Sequence, residues 1–263
     1  MKGFLLSLQS EFYKSRKTLG FWSAILLPLL LTSLISLGFF LKSNKLAAMP
    51  SNMLWMQFAG ISLGIMGSLL LPMFVVFIAY SVNSIEHKSD TWKTLFTLPI
   101  PKWSIYSAKY LYALFLILLC LMLFAGFTVA FGNLLGIMKP ELKFSGYHME
   151  KELFEIYIKF FLASLGILSL QFIMSLLWKD FLKPMGIGFV GTIVGVILAT
   201  NVKWEYAYLF PYSQPLQSIL GTTKRIKPNV APDMFTPEVV ASIIIAAVIF
   251  TIGYFIVERK SVK

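Results

Sequence analysis

The sequence predicts an all-α membrane protein with six transmembrane helices. Its 263 residues are 57% hydrophobic and only 13% charged, which is typical of polytopic membrane proteins and not of soluble domains. The charges are confined to gaps between long apolar runs, and a helix needs about 20 apolar residues to cross a bilayer. We therefore predict a single transmembrane domain over residues 1–263, with spans at about 18–41, 55–82, 110–138, 160–178, 184–202 and 239–257.

Before the first span, residues 1–17 predict a helix that lies in the membrane interface. Phe4, Leu5, Leu8 and Phe12 share one face of this helix, and most of its charged residues lie elsewhere. The apolar run that follows is too long for the apolar part of a secretory signal peptide. We therefore expect the N-terminal helix to remain attached to the first span.

The second apolar run is longer than one span requires but too short for two helices and a turn. Pro50 and Asn52 near its start indicate a loop, which leaves a span from Trp55 to Val82. Pro72 lies inside this span. Because a proline cannot donate the helical hydrogen bond, we expect a kink there.

A charged segment with two prolines, residues 86–109, separates the second span from the third. Ser89 and Asp90 are residue types that cap helix N-termini, so we predict a short helix after them. Pro99 and Pro101 end that helix, and Pro101 also suits the first turn of a second helix, which extends through Lys109 into the third span. The loop is thus expected to hold a short helix between two spans.

The short helix carries an apolar face. Trp92, Leu95 and Phe96 lie three and four positions apart, which places them on one side of a helix. Such a face suits docking on a soluble partner protein. An ordinary loop that lies on lipid headgroups explains the same residues, and their spacing does not decide between the two.

The side of the membrane on which each gap lies follows from its basic residues. The gaps on the side of the N-terminus hold more lysine and arginine than those on the opposite side, which indicates that both termini are cytoplasmic. Residues 203–238 then form the largest outer segment, in which prolines exclude a long helix. Alternating aromatic residues at its start predict either an aromatic belt at the outer interface or a segment that re-enters the membrane.

Two pairs of glycines predict close packing between helices. Gly60 with Gly64, and Gly191 with Gly195, are each four positions apart within a predicted span. Small residues at this spacing let two membrane helices approach closely.

The sequence carries no pattern for catalysis or for a cofactor of its own. No Gly-rich loop ending in Lys-Ser or Lys-Thr is present, so we expect ATP and magnesium to be bound by another polypeptide. His87 and His148 fall in loops on opposite sides, and the single Cys120 lies in an apolar run, so no metal site is expected.

The remaining charges are interpreted as surface charges. We interpret Glu155 and Lys159 as an exposed pair one helical turn apart. The net charge of +11 is divided among the gaps and predicts no nucleic acid partner.

Two regions of the sequence resemble the permease subunits of ABC-2 type transporters. The first region contains Glu86, Thr91-Trp92-Lys93, Leu98-Pro99-Ile100 and the run from Tyr106 to Lys109. The second contains Glu11-Phe12-Tyr13-Lys14 with Lys17, followed by Leu-Pro-Leu-Leu at residues 27–30. Within that family, the chain is similar to the branch linked to lantibiotic immunity and bacitracin resistance.

The resemblance implies a function and a set of residues. In that family the first cytoplasmic loop contacts the ATPase, so Asp90 to Leu98 would be the coupling element. The implied complex has two permeases, the same or homologous, and two ATPases in a bacterial cell membrane, and it expels an amphipathic peptide antibiotic or another hydrophobic substrate. The resemblance also favours re-entry by residues 203–238. The implied ATPase-coupling residues are Glu86, Asp90, Thr91, Trp92, Lys93, Leu95, Phe96, Leu98 and Pro99.

A function of another class fits the same loop. A membrane scaffold or sensor subunit that transports nothing would also need a surface on which to hold a cytosolic partner. A neighbouring reading frame that encodes a P-loop ATPase would favour the exporter.

Overall fold

Eleven α-helices make up the part of the chain that the computed structural model describes, which is residues 2–97, 99–202, 204–223 and 233–259. Over these residues the structure is all-helical, and six helical stretches are long and apolar enough to cross a membrane, so the predicted fold class is confirmed. The helices are α1 (Lys2–Ser15), α2 (Leu19–Leu41), α3 (Ser43–Leu46), α4 (Ser51–Ile65), α5 (Leu71–Ser89), α6 (Trp92–Thr97), α7 (Lys102–Met138), α8 (Glu150–Leu177), α9 (Leu182–Thr200), α10 (Gln214–Thr223) and α11 (Pro237–Arg259).

The membrane-crossing candidates are α2, the continuous rod of α4 and α5, α7, α8, α9 and α11. Because successive spans alternate in direction, α1, α6 and the turn between α8 and α9 lie at one end of the bundle, here termed the near side. The opposite end, the far side, carries the connections that follow α2, α7 and α9.

Two of the spans are longer than a bilayer requires. The rod from Ser51 to Ser89 has 39 residues and α7 has 37. At 1.5 Å per residue, each is well over the roughly 30 Å of the hydrocarbon core. The helix predicted to begin at Pro101 is the first part of α7, with Pro101 just before it. The charged near-side ends of these two helices therefore project beyond the membrane core.

The rod is interrupted by a wide π-helical turn, Met66–Leu70, between α4 and α5. Pro72 follows in the first turn of α5. Because proline has no N–H to donate to the preceding turn, the helix widens just before it. Gly67 lies in this wide turn, where a Cβ would collide with the side chain of Ile219 from α10. The absence of a side chain at Gly67 thus lets α10 pack on the wide turn.

The core lies where α5, α7 and α8 meet. α8 packs along α5 and α11, and α7 packs along α1 and α2. Buried aromatic side chains fill the centre, among them Phe124, Tyr157, Phe160 and Phe172. By contrast, α2, α9 and α11 bury only 28%, 22% and 28% of their most apolar stretches, so their outer faces are open to lipid or to another subunit.

The chain turns back into the bundle between α9 and α10. Trp204 and Tyr206 are exposed at the far side, whereas Tyr212, Ser213 and Gln214 are buried. α10 then packs against the wide turn, α8 and α11. Residues 203 and 224–232 of the predicted outer segment lie outside the described residues.

Candidate functional site

Four charged side chains on the near side form a closed ring of ion pairs, termed here the charge ring. Lys109 Nζ lies 3.0 Å from Glu11 Oε2 and 2.6 Å from Glu86 Oε2. Lys14 Nζ lies 2.7 Å from Glu11 Oε1 and 2.7 Å from Glu86 Oε1. Each lysine therefore bridges the same two carboxylates, and the four formal charges cancel.

The packing of α1 on α7 brings the two halves of the charge ring together. The ring centroids of Phe4 and Trp103 are 6.4 Å apart, and those of Phe12 and Tyr112 are 4.9 Å apart, so the two helices run parallel. The apolar face of α1 predicted from the sequence therefore packs largely on α7. Of that face, only Leu5 is exposed.

Burial makes an incomplete charge ring unfavourable. Glu86 and Lys109 are 1% and 0% exposed, and removing one partner of a buried ion pair typically costs about 3–5 kcal/mol. Lys109 Nζ also donates to Val82 O at 3.3 Å. Lys14 lies at the open edge, where burial opposes its charge but the carboxylates of Glu11 and Glu86 raise its pKa above the ordinary value. The complete ring therefore holds α1, α5 and α7 together.

Trp92 connects the short helix α6 to the charge ring. Lys109 Nζ lies 5.6 Å from the centre of the Trp92 ring, within the range of a cation–π contact. Trp92 Nε1 donates to His87 Nδ1 at 3.1 Å. Because Nδ1 accepts this bond, the proton of a neutral His87 is on Nε2, which donates to Ser175 O at 2.9 Å. α6 thus contacts the charge ring through Trp92, and it is linked to the end of α8 through His87 of α5.

The prediction that Ser89 and Asp90 cap α6 is wrong. Ser89 is the last residue of α5, and Asp90 ends that helix in a left-handed conformation with φ 50°. Extending an existing helix is easier than starting a new one, which is why α5 continues through Ser89. Thr91 precedes α6, and its carbonyl accepts the N–H of Leu95. Asp90 instead accepts a bond of 3.0 Å from Lys179 Nζ.

The surface around α6 is only partly the one predicted. Trp92 packs inward against the core, and Thr91 and Leu95 are half-buried. Among the described side chains from Thr91 to Pro99, the exposed ones are Thr94, Thr97 and Pro99. Three predicted coupling residues lie outside the described residues, either wholly or in their side chains: Leu98, Lys93 and Phe96.

Sequence reasoning singled out Glu86 but missed the rest of the charge ring as a site. Lys109 pairs with Glu11 across 98 positions, and Lys14 pairs with Glu86 across 72 positions, so no local spacing reveals them. The available signal was that Glu86 and Lys109 border apolar runs and that all four charges lie within the two regions that carry the family resemblance.

The two predicted glycine pairs have different surroundings. A Cβ on Gly191 would lie 2.8 Å from Tyr212 Cδ2, and one on Gly195 would lie 2.7 Å from the backbone carbonyl carbon of Tyr212. At these two glycines, the close neighbour of α9 is therefore the segment before α10, and not a spanning helix. At Gly60 and Gly64, no atom of the described chain lies within 4 Å of a Cβ position, so this pair makes no internal helix contact.

The interpretation of Glu155 and Lys159 as an exposed pair is wrong. Lys159 is buried, and its Nζ lies 3.6 Å from Glu238 Oε1 on the first turn of α11. Glu155 pairs instead with Lys151, at 3.9 Å on the surface. The Lys159 position of α8 faces α11, which places a buried ion pair on the far side.

The described residues contain no group of three or more His, Cys, Asp or Glu side chains that could hold a metal ion. His87 bonds to Trp92 and Ser175, while His148 is exposed beside Glu150 at the far side. In the charge ring every carboxylate bridges two lysines. This arrangement is suited to holding helices together and to transmitting their movement.

The family model described as ABC-2 family transporter protein matches residues 7–195. The matched part contains the charge ring, α6 and four complete candidate spans, and it ends within α9. No curated protein and no solved structure shows significant similarity to the chain.

Proposed function

We propose an export function for this chain, which belongs to the ABC-2 family of transporter proteins. As a member, it is a permease subunit that spans a lipid bilayer and works with an ABC ATPase. We assign it to a complex of two permeases and two ATPases in a bacterial cell membrane, with the near side in the cytoplasm. The ATPases bind ATP and magnesium, and the permease converts their movement into export.

The position of the charge ring directly behind α6 is the observation that supports coupling at the near side. A force on the exposed Thr94 and Thr97 reaches Trp92, which contacts Lys109 and His87. Through these contacts the force acts on α7, α5 and α8. Separating the ion pairs of the ring would leave buried charges without partners, so the joined helices move together.

In the proposed mechanism, closure of the ATPases moves α1, α5 and α7 as one body. The bond from His87 to Ser175 passes the same movement to α8. Rotation of these helices against their neighbours then opens the path toward the far side. The buried segment around Tyr212 closes that path in the resting state.

We propose an amphipathic peptide antibiotic, or a similar hydrophobic compound, as the substrate. The resemblance of the near-side loop to the lantibiotic-immunity branch supports this choice. The largely open apolar faces of α2, α9 and α11 would let such a compound approach from within the bilayer. A scaffold or sensor that anchors a cytosolic partner is the alternative, and it would use the same near-side surface.

The test changes the exposed surface of α6 and leaves the internal contacts of Trp92 intact. Thr94→Arg with Thr97→Arg places two large cations on the proposed docking surface. The variant should reach the membrane in normal amounts, but co-purification of the co-expressed ABC ATPase partner should fall by roughly tenfold or more. Cells should also lose their protection against a panel of peptide antibiotics.

A matched control adds the same charges at the far side, where Thr200 and Asn201 are exposed. Thr200→Arg with Asn201→Arg should retain both ATPase binding and protection. Wild-type ATPase binding and protection in the near-side variant would show that α6 is not the coupling element. A wild-type protein that binds the ATPase but protects against no peptide would favour the scaffold.

A further inference from the structure

One face of α1 is left exposed by its contacts with α7. While Phe12 packs on α7, Leu6 and Tyr13 are 59% and 76% exposed on a different side of the helix, and Leu5 is 55% exposed at the edge of the packed face. Of these, Tyr13 lies in the last turn of α1, and an exposed tyrosine next to the start of a span is favoured at a membrane interface.

Two cations lie at the end of this exposed face. Arg16 and Lys17 are exposed in the turn between α1 and α2, and neither forms an ion pair within the part of the chain that the structure describes. Arg16 Cζ lies 5.8 Å from the centre of the Tyr13 ring, so the guanidinium is held against an aromatic side chain. Lys14, by contrast, is engaged in the charge ring.

The start of α2 sets the level of these cations in the bilayer. Thr18 caps α2, and the side chains of Leu19 and Trp22 are exposed in its first turn, where the outward-facing apolar side of the span begins. Arg16 and Lys17 therefore lie where lipid phosphates meet the hydrocarbon core. Aromatic rings such as those of Tyr13 and Trp22 are favoured at this level.

We infer that the turn between α1 and α2 binds the phosphate of an anionic phospholipid. Arg16 and Lys17 supply the positive charge, and Tyr13, Leu19 and Trp22 contact the glycerol and the upper part of the acyl chains. Exposed apolar side chains continue from α1 into the outer face of α2, which favours lipid over a soluble protein as the occupant. The assignment to the cytoplasmic leaflet rests on the proposed function, whereas the site itself does not.

The experiment uses the purified full-length permease in neutral detergent, without an ATPase. Short-chain phosphatidylglycerol and short-chain phosphatidylcholine are titrated separately, and the apparent affinity is obtained from the rise in the thermal unfolding midpoint. The wild-type protein should bind phosphatidylglycerol more tightly. Arg16→Gln with Lys17→Gln should weaken that binding about 30-fold, or about fivefold for each charge removed.

The control removes two exposed cations at and just after the far-side end of α2. Lys42→Gln with Lys45→Gln should leave the affinity for phosphatidylglycerol within about twofold of wild type, because the effect depends on a local site. Equal losses in the two double variants, or equal binding of the two lipids by the wild type, would overturn the inference. So would unchanged lipid affinity in the Arg16 and Lys17 variant with loss of ATPase co-purification, which would make this face a protein-docking surface. Because lipid binding is measured without the ATPase, its outcome is independent of the test of α6.

Discussion

The two sides of the bundle are held together by different kinds of contact. On the near side, the charge ring joins α1, α5 and α7 through four ion pairs of 2.6, 2.7, 2.7 and 3.0 Å. On the far side, Tyr212 packs directly on Gly191 and Gly195. The buried pair of Lys159 with Glu238 on that side is longer, at 3.6 Å.

The near-side helices are thus held together mainly by ion pairs, and the far-side elements mainly by close packing. Separating the members of the charge ring would leave buried charges without partners, whereas separating Tyr212 from α9 exposes a ring and two glycines. The one polar contact of the Tyr212 ring among the described residues is a neutral hydrogen bond from Gln171 of α8. We therefore propose that the near side stays rigid during transport and that the far side is the part that opens. Each of the following changes weakens one of these contacts.

The largest effect is expected for Lys109→Met. This change leaves Glu11 and Glu86 buried with only Lys14 between them, and losing one partner of a buried ion pair costs about 3–5 kcal/mol. The thermal unfolding midpoint of the purified protein should fall steeply, and most of the protein should be lost from the monodisperse fraction.

Restoring the charge balance provides the control for this change. Glu86→Gln added to Lys109→Met leaves one carboxylate and one lysine in the charge ring. The thermal unfolding midpoint of the double variant should therefore lie between those of the single variant and the wild type. An unchanged midpoint in the single variant would show that the ring does not hold the near side, and would remove the basis of the comparison.

The fold class could be predicted from the sequence because long apolar runs are a local pattern. Helix ends were harder, since Ser89 extends an existing helix although its residue type suits the start of a new one. The charge ring could not be predicted from spacing, because its partners lie on three separate elements. The partner of Lys159 was predicted wrongly for a related reason. A spacing of four residues suggests a pair with Glu155, but the packing of α8 on α11 buries Lys159 beside Glu238.

A smaller effect is expected for Gly195→Leu at the far side. A Cβ there meets the backbone of Tyr212, which cannot rotate away, so the change should destabilise the protein by about 3 kcal/mol. Gly60→Leu is the matched control, because no atom of the described chain lies within 4 Å of its Cβ position. The thermal midpoint should fall only in the first variant. Equal midpoints would show that close packing on α9 does not hold this side.

A still smaller effect than that of Gly195→Leu is expected for Glu238→Gln. The amide keeps the shape of the side chain but removes the negative charge that lies 3.6 Å from Lys159. Because the amide oxygen of the glutamine still accepts from Lys159, the cation keeps a partner and the expected loss is only about 1.5 kcal/mol. The thermal midpoint should therefore fall by less than in the glycine variant.

Glu155→Gln distinguishes the observed pairing from the one suggested by sequence spacing. Glu155 makes only a surface pair of 3.9 Å with Lys151, and such pairs contribute little, so this midpoint should match that of the wild type. An equal decrease in the thermal midpoint for Glu238→Gln and Glu155→Gln would show that the pair of Lys159 with Glu238 does not stabilise the protein. A loss for Glu238→Gln greater than that for the leucine variant on α9 would show that charge holds the far side as it holds the near side. The far side would then resist opening as strongly as the near side, and the proposed division between a rigid and an opening side would be wrong.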